Sequence, residues 1–426
     1  MRFGPVGKKL PPAMTNPIAP SGRAPAASES LTRRGEARFW SICFALFLGA
    51  FATFGMLYCV QPIMPAFART FSVSPAAASL SLSATTGVLA VALFGAGALS
   101  DAVGRKTVMA ASLAAAAAAT VAIAFARNWP TLIALRALTG LALSGVPAVA
   151  MAYLAEEMDR SAIGLAMGLY IAGSTLGGLG GRLSVAAIAD VAGWRAGVGV
   201  ISALSLASAA AFALALPPQR AAVPKAHALA ILPAIKLHLG DPGLRSLYAL
   251  GFLVMGANVT TYNYIGFRLA APPFSLSQTL IGLVFVIYLV GAVAAPTFGE
   301  LGARFGRRRV IGPAILLMSL GAFTTLSDNL WLTIFGVGLV TAGFFGGHSI
   351  ASSWIGLRAE KARSQASALY LFFYYLGSSV AGTLGGVVLA RAGWPGVAAF
   401  VGALALLALL VALRLTRVPP PAHLRS

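Results

Sequence analysis

Twelve apolar runs, several joined by only a few residues, leave this chain few folds to choose from. They cover residues 39–65, 78–100, 106–126, 130–154, 163–189, 194–216, 243–268, 279–301, 309–327, 330–353, 364–390 and 395–415. Roughly 20 residues of helix cross the hydrocarbon core of a bilayer. Lipid offers no hydrogen bonds, so each backbone N–H and C=O must be paired within its own segment, and the runs are predicted to be transmembrane helices. Short joints force neighbouring helices to alternate in direction, and an even number puts both termini on one face. Composition agrees: 426 residues that are 58% hydrophobic and 10% charged carry more apolar surface than a soluble fold can hide.

The charges orient the bundle. The net charge of +20 raises the question of nucleic acid, but 24 of the 31 Lys and Arg fall in segments that this topology puts on the side of the termini. That is the positive-inside pattern, which predicts a bacterial-type inner membrane protein with both termini cytoplasmic. No soluble basic surface is left for a nucleic-acid partner. Residues 1–38 are basic and rich in Pro, Ala and Ser, without the apolar core of a signal peptide, and read as a disordered cytoplasmic tail. Residues 416–426 form the second cytoplasmic tail. Residues 217–242 hold Pro217, Pro218, Arg220, Pro224 and Lys225 and read as a cytoplasmic linker. Within it, 226–239 is predicted to be a short amphipathic helix lying on the membrane, with Lys236 and His238 to water. The linker separates six-helix segments at 39–216 and 243–415.

Two stretches echo each other across that linker. Gly97-Ala-Leu-Ser-Asp101-Ala-Val-Gly104-Arg105-Lys106 lies between the second and third runs, and Gly299-Glu-Leu-Gly-Ala303-Arg304-Phe-Gly306-Arg307-Arg308 between the eighth and ninth. Gly97 and Gly299 offer a bare surface for close helix packing. Gly104 and Gly306 can take the positive φ of a tight reversal. Asp101 can accept hydrogen bonds at a helix N-terminus. A shift of 200 also aligns Tyr170, Gly177, Gly193 and Trp194 with Tyr370, Gly377, Gly393 and Trp394. The chain reads as a duplicated six-helix unit.

The doubled loop resembles the signature loop of the major facilitator superfamily, in both copies. The first copy departs at Ala102, where the family usually has a basic residue, and the second has Ala303 where the first has Asp101. The resemblance covers nearly the whole chain after residue 38. It implies an all-α membrane protein of 12 transmembrane helices in two pseudo-symmetric six-helix halves, the major facilitator fold. It further implies a transporter that moves a small organic molecule by alternating access, similar to the twelve-helix drug or sugar efflux branch. In that family the loop Asp caps a helix of the other half, and the loop Arg meets acids at the inner end of the fourth helix. Here those acids are Glu156 and Glu157. Gly97, Asp101, Gly104, Arg105, Glu156, Glu157, Gly299, Gly306 and Arg307 are therefore the expected gating residues. Local capping by Asp101, and topology setting by Arg105, account for the same residues more simply.

Several membrane-embedded polar residues are expected to line the substrate path. Tyr58 and Gln61 follow one face of the first helix with Phe54. Asn258 and Tyr262 lie on the seventh helix and Tyr374 on the eleventh; the resemblance places these helices on or beside the cavity. Tyr264 sits near enough to the boundary to suit an outer aromatic belt. Arg136 and Arg182 lie about 9 and 12 Å inside the outer ends of the fourth and fifth helices, at 1.5 Å per residue. A charge at such depth faces protein or water rather than lipid. Arg136-Ala-Leu-Thr-Gly140 resembles a fourth-helix motif whose arginine, in relatives, serves proton handling or substrate binding. If both arginines face the cavity, an anionic or electron-rich substrate follows; a snorkelling arginine is the competing reading. Gly173-Ser-Thr-Leu-Gly177-Gly178-Leu-Gly180-Gly181 resembles the fifth-helix antiporter motif of exporters, though the family proline is absent; tight packing accounts for it equally.

None of the eleven acids falls deep within a run, so proton coupling needs another carrier or does not occur. Asp190, His348 and the Glu156/Glu157 pair are the candidates, with His348 the most deeply placed titratable group. No P-loop, GxSxG or HExxH is present, and no His/Cys cluster has metal-ligand spacing, so neither an enzyme, a cofactor nor a metal is expected. Cys43 and Cys59 are about 24 Å apart on one helix and cannot pair. The expected partners are the bilayer, a small-molecule substrate and protons, for a monomeric exporter. Solute uptake, or a membrane sensor that moves nothing, are the other readings.

Overall fold

The computed structural model describes residues 1, 4, 31–159, 161–220 and 231–419. The first crossing is shorter than its apolar run. Helix α1 (Ala37–Tyr58) stops before Pro62, because a residue preceding proline is pushed out of the helical region. A turn over 59–63 leads to a separate short helix α2 (Met64–Phe71). Then come α3 (Pro75–Val103), α4 (Arg105–Ala124), and a fourth crossing broken into α5 (Trp129–Leu143) and α6 (Pro147–Glu157). Pro147 restarts that crossing at a position where its missing N–H costs nothing. Helix α7 (Ile163–Ala215) holds the fifth and sixth crossings, reversed at Gly193, whose φ is +79°.

The second half repeats this order. After α8 (Ile231–Gly240) come α9 (Pro242–Ala270) and α10 (Gln278–Leu283), which runs through a 3₁₀ turn into α11 (Tyr288–Phe305). Helices α12 (Arg307–Thr324), α13 (Leu330–Arg358) and α14 (Arg363–Arg417) complete the bundle, with α14 reversed at Gly393, φ +60°. Gly104 and Gly306 adopt φ of +100° and +92°, the conformation their loops require. Ser74, Asn128, Asp241 and Ser277 cap helix starts by accepting from backbone N–H groups three residues on. Large apolar side chains such as Phe44, Val91, Leu214 and Leu320 point outward, as lipid-facing residues must.

Within each half the most extensive packing joins the first helix to the long double helix, α1 to α7 and α9 to α14. Glycine makes this possible. A methyl group on Gly177 would overlap the Phe51 carbonyl oxygen, and one on Gly377 the Phe252 carbonyl oxygen. Gly173 and Gly181 meet the backbone of Phe47 and Gly55 in the same way, one helical turn to either side. Trp194 donates to the Thr70 hydroxyl at 3.1 Å, and Trp394 to the Thr325 carbonyl at 3.0 Å.

A clasp ties three crossings together at the face of the termini. In the first half Arg38, at the start of α1, bonds Glu157 at the end of α6 (2.8 Å) and the Pro218 carbonyl after α7 (2.6 Å). In the second half Arg358, at the end of α13, bonds Asp241 before α9 (2.6 and 3.0 Å) and the Pro419 carbonyl after α14 (3.2 Å). The places match while the charges are exchanged.

Several expectations change. Residues 32–36 do not belong to a free tail: Thr32 donates to the Glu157 carbonyl at 2.8 Å and accepts from Asp159 N–H at 3.0 Å. Residues 5–30, and the part of the linker at 221–230, lie outside the described residues. Lys236 on α8 is exposed, but His238 is buried against the Ala362 carbonyl and not turned to water. Gly97 has open space where a side chain would stand, whereas Gly299 does approach a neighbour, Ser349 on α13. Tyr264 is fully buried, donating to the Gly382 carbonyl, and belongs to no lipid-facing belt.

Candidate functional site

A cavity of about 140 Å³ lies between the halves. The first half contributes Phe54, Tyr58, Gly178 and Arg182; the second contributes Asn258, Tyr288, Phe344, His348 and Tyr374. Tyr58, Arg182, Asn258, His348 and Tyr374 were expected there or as titratable candidates. Tyr288, Phe344 and Phe345 were not foreseen. An aromatic residue within an apolar run carries no mark of which way it faces.

Arg182 is the one arginine, lysine or carboxylate among the residues lining this cavity. It is 2% exposed. Its Nε donates to Gln61 Oε1 and its Nη1 to the Gly178 carbonyl, each at 2.8 Å. The guanidinium carbon sits 4.3 Å from the Tyr58 ring centroid and 4.6 Å from that of Tyr288, one from each half. Such contacts stabilise a cation in a site short of water. Across the cavity, His348 Nδ1 lies 2.8 Å from the Tyr370 hydroxyl, and the imidazole ring packs against both Phe344 and Tyr374. Asn258 donates to the Tyr288 hydroxyl at 3.0 Å, and its own carbonyl oxygen bonds to nothing among the described residues.

Arg136 does not line the cavity. It is fully buried, and its guanidinium donates to the Met56 and Leu57 carbonyls at 2.9 and 2.8 Å and to the Ser81 carbonyl. Met56 and Leu57 stand in the last turn of α1, whose carbonyls have no helical partner beyond the break at Pro62. The Thr85 hydroxyl donates to the Arg136 carbonyl at 2.8 Å, and Gly140 lets the Thr85 backbone approach. The Arg136–Gly140 motif therefore clamps α1, α3 and α5 together. Tyr262 is also displaced from the wall: it stacks on Tyr288 and Phe285 and bonds the Thr341 hydroxyl at 2.7 Å.

The cavity is roofed on the face opposite the termini. Gln61, buried at the α1–α2 turn, donates to Asn263 of the other half at 2.9 Å. Gln278 donates to the Pro62 carbonyl. The Asp190 carboxylate accepts from the Thr279 hydroxyl at 2.7 Å and from the N–H groups of Gln278 and Thr279 at 3.3 Å, at the start of α10. Donors of that kind favour the ionised carboxylate. Deeper in, Ser379 donates to the Ser83 carbonyl at 2.8 Å. Nearer the termini the halves meet at Phe94 and Phe372, 5.4 Å between ring centroids.

The charged loop at the face of the termini is engaged within its own half. Arg105 holds Glu156 through two bonds of 2.7 and 2.6 Å and reaches Asp101 at 3.1 Å. The arginine–acid contact is the expected one. Asp101, by contrast, bonds Arg105 rather than a helix of the second half. Glu157 turns to Arg38 instead of Arg105. Arg307, the counterpart of Arg105, donates to the Ser353 hydroxyl at 3.3 Å.

A sequence model described as the Major Facilitator Superfamily matches residues 46–273 and 263–426. The chain is 45% identical over 391 residues to the "Inner membrane transport protein YnfM" of Escherichia coli (strain K12), covering 90% of this chain and 93% of that one. It is 42% identical over 378 residues to the "Uncharacterized MFS-type transporter YybF" of Bacillus subtilis (strain 168), covering 88% and 94%. A "Probable sugar efflux transporter" of Helicobacter pylori is 31% identical over 256 residues, covering 57% and 61%. In fold it is similar to a bacterial homolog of the human lysosomal transporter Spinster in an inward-facing, unoccupied conformation. The TM-score is 0.73 at 15% identity, covering 90% of this chain and 98% of that one.

Proposed function

This chain belongs to the major facilitator superfamily, and on that premise we propose that it exports a small organic molecule from the cytoplasm by alternating access, driven by protons. The observation that carries this reading is the cavity between the halves, roofed on one face by bonds that cross from half to half. The excess of Lys and Arg at the face of the termini supports putting that face in the cytoplasm of a bacterial-type inner membrane. The cavity then loads from the cytoplasm. Release outward requires the Asp190–Thr279, Gln278–Pro62 and Gln61–Asn263 bonds to break. When the inner face closes, Asp101 leaves Arg105 and caps a helix of the second half. The fifth-helix glycines and the similarity to the probable sugar efflux transporter of Helicobacter pylori favour export over uptake.

His348 is the proton carrier in this reading: it is titratable, faces the cavity and is held by Tyr370. Asp190 sits in the outer latch, already engaged as an acceptor. The test is a resistance and transport screen over a chemical library with and without an imposed proton gradient, followed by counterflow in proteoliposomes. His348→Gln should keep counterflow of a compound so found and lose its gradient-driven accumulation. Accumulation at the wild-type level would remove His348 from the coupling, and absence of counterflow for every compound would remove transport itself.

A further inference from the structure

Among the described residues, Arg182 is a buried charge without a counter-ion. Two of its five N–H donors are used, on Gln61 and on the Gly178 carbonyl, and Nη2 donates to nothing among the described residues. No ion pair among the described residues includes it. The lining holds no carboxylate that could neutralise it. A buried cation is costly when unpaired and an anion beside it is strongly favoured, because little water screens the attraction. Tyrosine faces soften that cost without supplying charge. The same field repels cations from the cavity.

The walls set shape. Tyr58 and Tyr288 flank the guanidinium, and Phe54, Phe344 and Tyr374 line the rest of the cavity, so a flat ring bound there meets aromatic side chains from both halves. The volume, about 140 Å³, is close to the roughly 150 Å³ that suffices to hold a benzene ring.

We infer that the substrate class of this transporter is a single-ring aromatic monoanion, its carboxylate or sulfonate on the free edge of the Arg182 guanidinium and its ring between the aromatic walls. This rests on the transport reading above. The planar fork of arginine suits a carboxylate in a way a lysine ammonium does not, so charge alone does not reproduce the site.

The experiment uses the purified full chain. Binding of radiolabelled benzoate is measured in detergent, with benzamide and benzamidine as neutral and cationic competitors of the same shape. Flux is measured with benzenesulfonate, which stays ionised and does not leak across lipid. Saturable benzoate binding that benzamide and benzamidine compete at least about tenfold more weakly, with saturable benzenesulfonate flux, is the expected result. Arg182→Gln should weaken benzoate about 10- to 100-fold, the worth of a charge-assisted hydrogen bond, and Arg182→Lys should fall between the two. Thermal melting verifies that each variant is folded. Equal binding of the three isosteres, or a folded Arg182→Gln that binds benzoate as wild type does, overturns the assignment. If benzoate and benzenesulfonate fail while another compound from the screen shows counterflow, the substrate class is wrong and transport stands. If nothing shows counterflow, both readings fall together.

Discussion

Replacing Arg136 separates a clamp from a substrate contact. Arg136→Met keeps most of the side-chain volume and removes every donor. The Leu57 carbonyl, which accepts a 2.8 Å bond from this guanidinium, then has no donor at the broken end of α1, and the Met56 carbonyl, which accepts one of 2.9 Å, keeps only the weak Cys59 thiol donor at 3.4 Å. Each unsatisfied buried acceptor costs about 1–3 kcal/mol, so the pair costs about 2–6 kcal/mol. At about 1 °C per kcal/mol for a chain of this size, melting should fall by about 2–7 °C. Both cysteines are free and buried, so a thiol-reactive dye reports unfolding directly. Arg136→Lys can serve one carbonyl with a point charge and should fall between the two. A variant that melts within about 1 °C of wild type would refute the clamp. Unchanged melting with altered substrate affinity would return Arg136 to the binding role that its motif implies in relatives.

Three further outcomes follow from the same geometry. Gly177→Ala and Gly377→Ala each drive a methyl group into a backbone carbonyl and should cost about 1–3 kcal/mol of stability, while Gly97→Ala, with open space around it, should melt at or above wild type. Asp101→Asn, expressed at the wild-type level, should slow counterflow sharply by weakening the Asp101–Arg105–Glu156 network; an unchanged rate discards the latch. Burial pushes the Asp241 carboxyl up, but the Arg358 hydrogen bonds outweigh it and hold the group below the ordinary carboxylate range. Its contribution to stability is therefore fully present above about pH 4 and is lost as pH falls through the depressed value. Asp241→Asn should melt lower than wild type at pH 7 and lose less on acidification; parallel acid limbs in melting curves would contradict this.

What could be read from residues alone was whatever depends on local backbone chemistry. Gly104 and Gly306 take the positive φ expected of their loops, while the same conformation at Gly193 and Gly393 was marked only by their alignment in the repeat. Helix rotation was harder to read. Arg136 and Arg182 lie at similar depth in sequence, yet one faces backbone carbonyls and the other the cavity, because rotation is set by packing between segments remote in the chain. One signal for Arg136 was available: Pro62 ends α1 early and leaves carbonyls in need of a donor at that depth. Gly97 shows the converse error, since a motif glycine implies room for a neighbour without supplying one. Tyr288 and Phe345 could not be distinguished from lipid-facing aromatics by any feature of their own run.

The exchanged polarity of the two clasps bears on how the duplicated units avoid mistaking each other during insertion. Twelve similar helices enter one membrane in sequence, and the early helix of one unit could dock on the late helix of the other. Such a mispaired intermediate would set Arg38 against Arg358, or Asp241 against Glu157, like against like at the membrane surface. Only the pairing within each unit brings opposite signs together, so the two units carry different keys for the same lock.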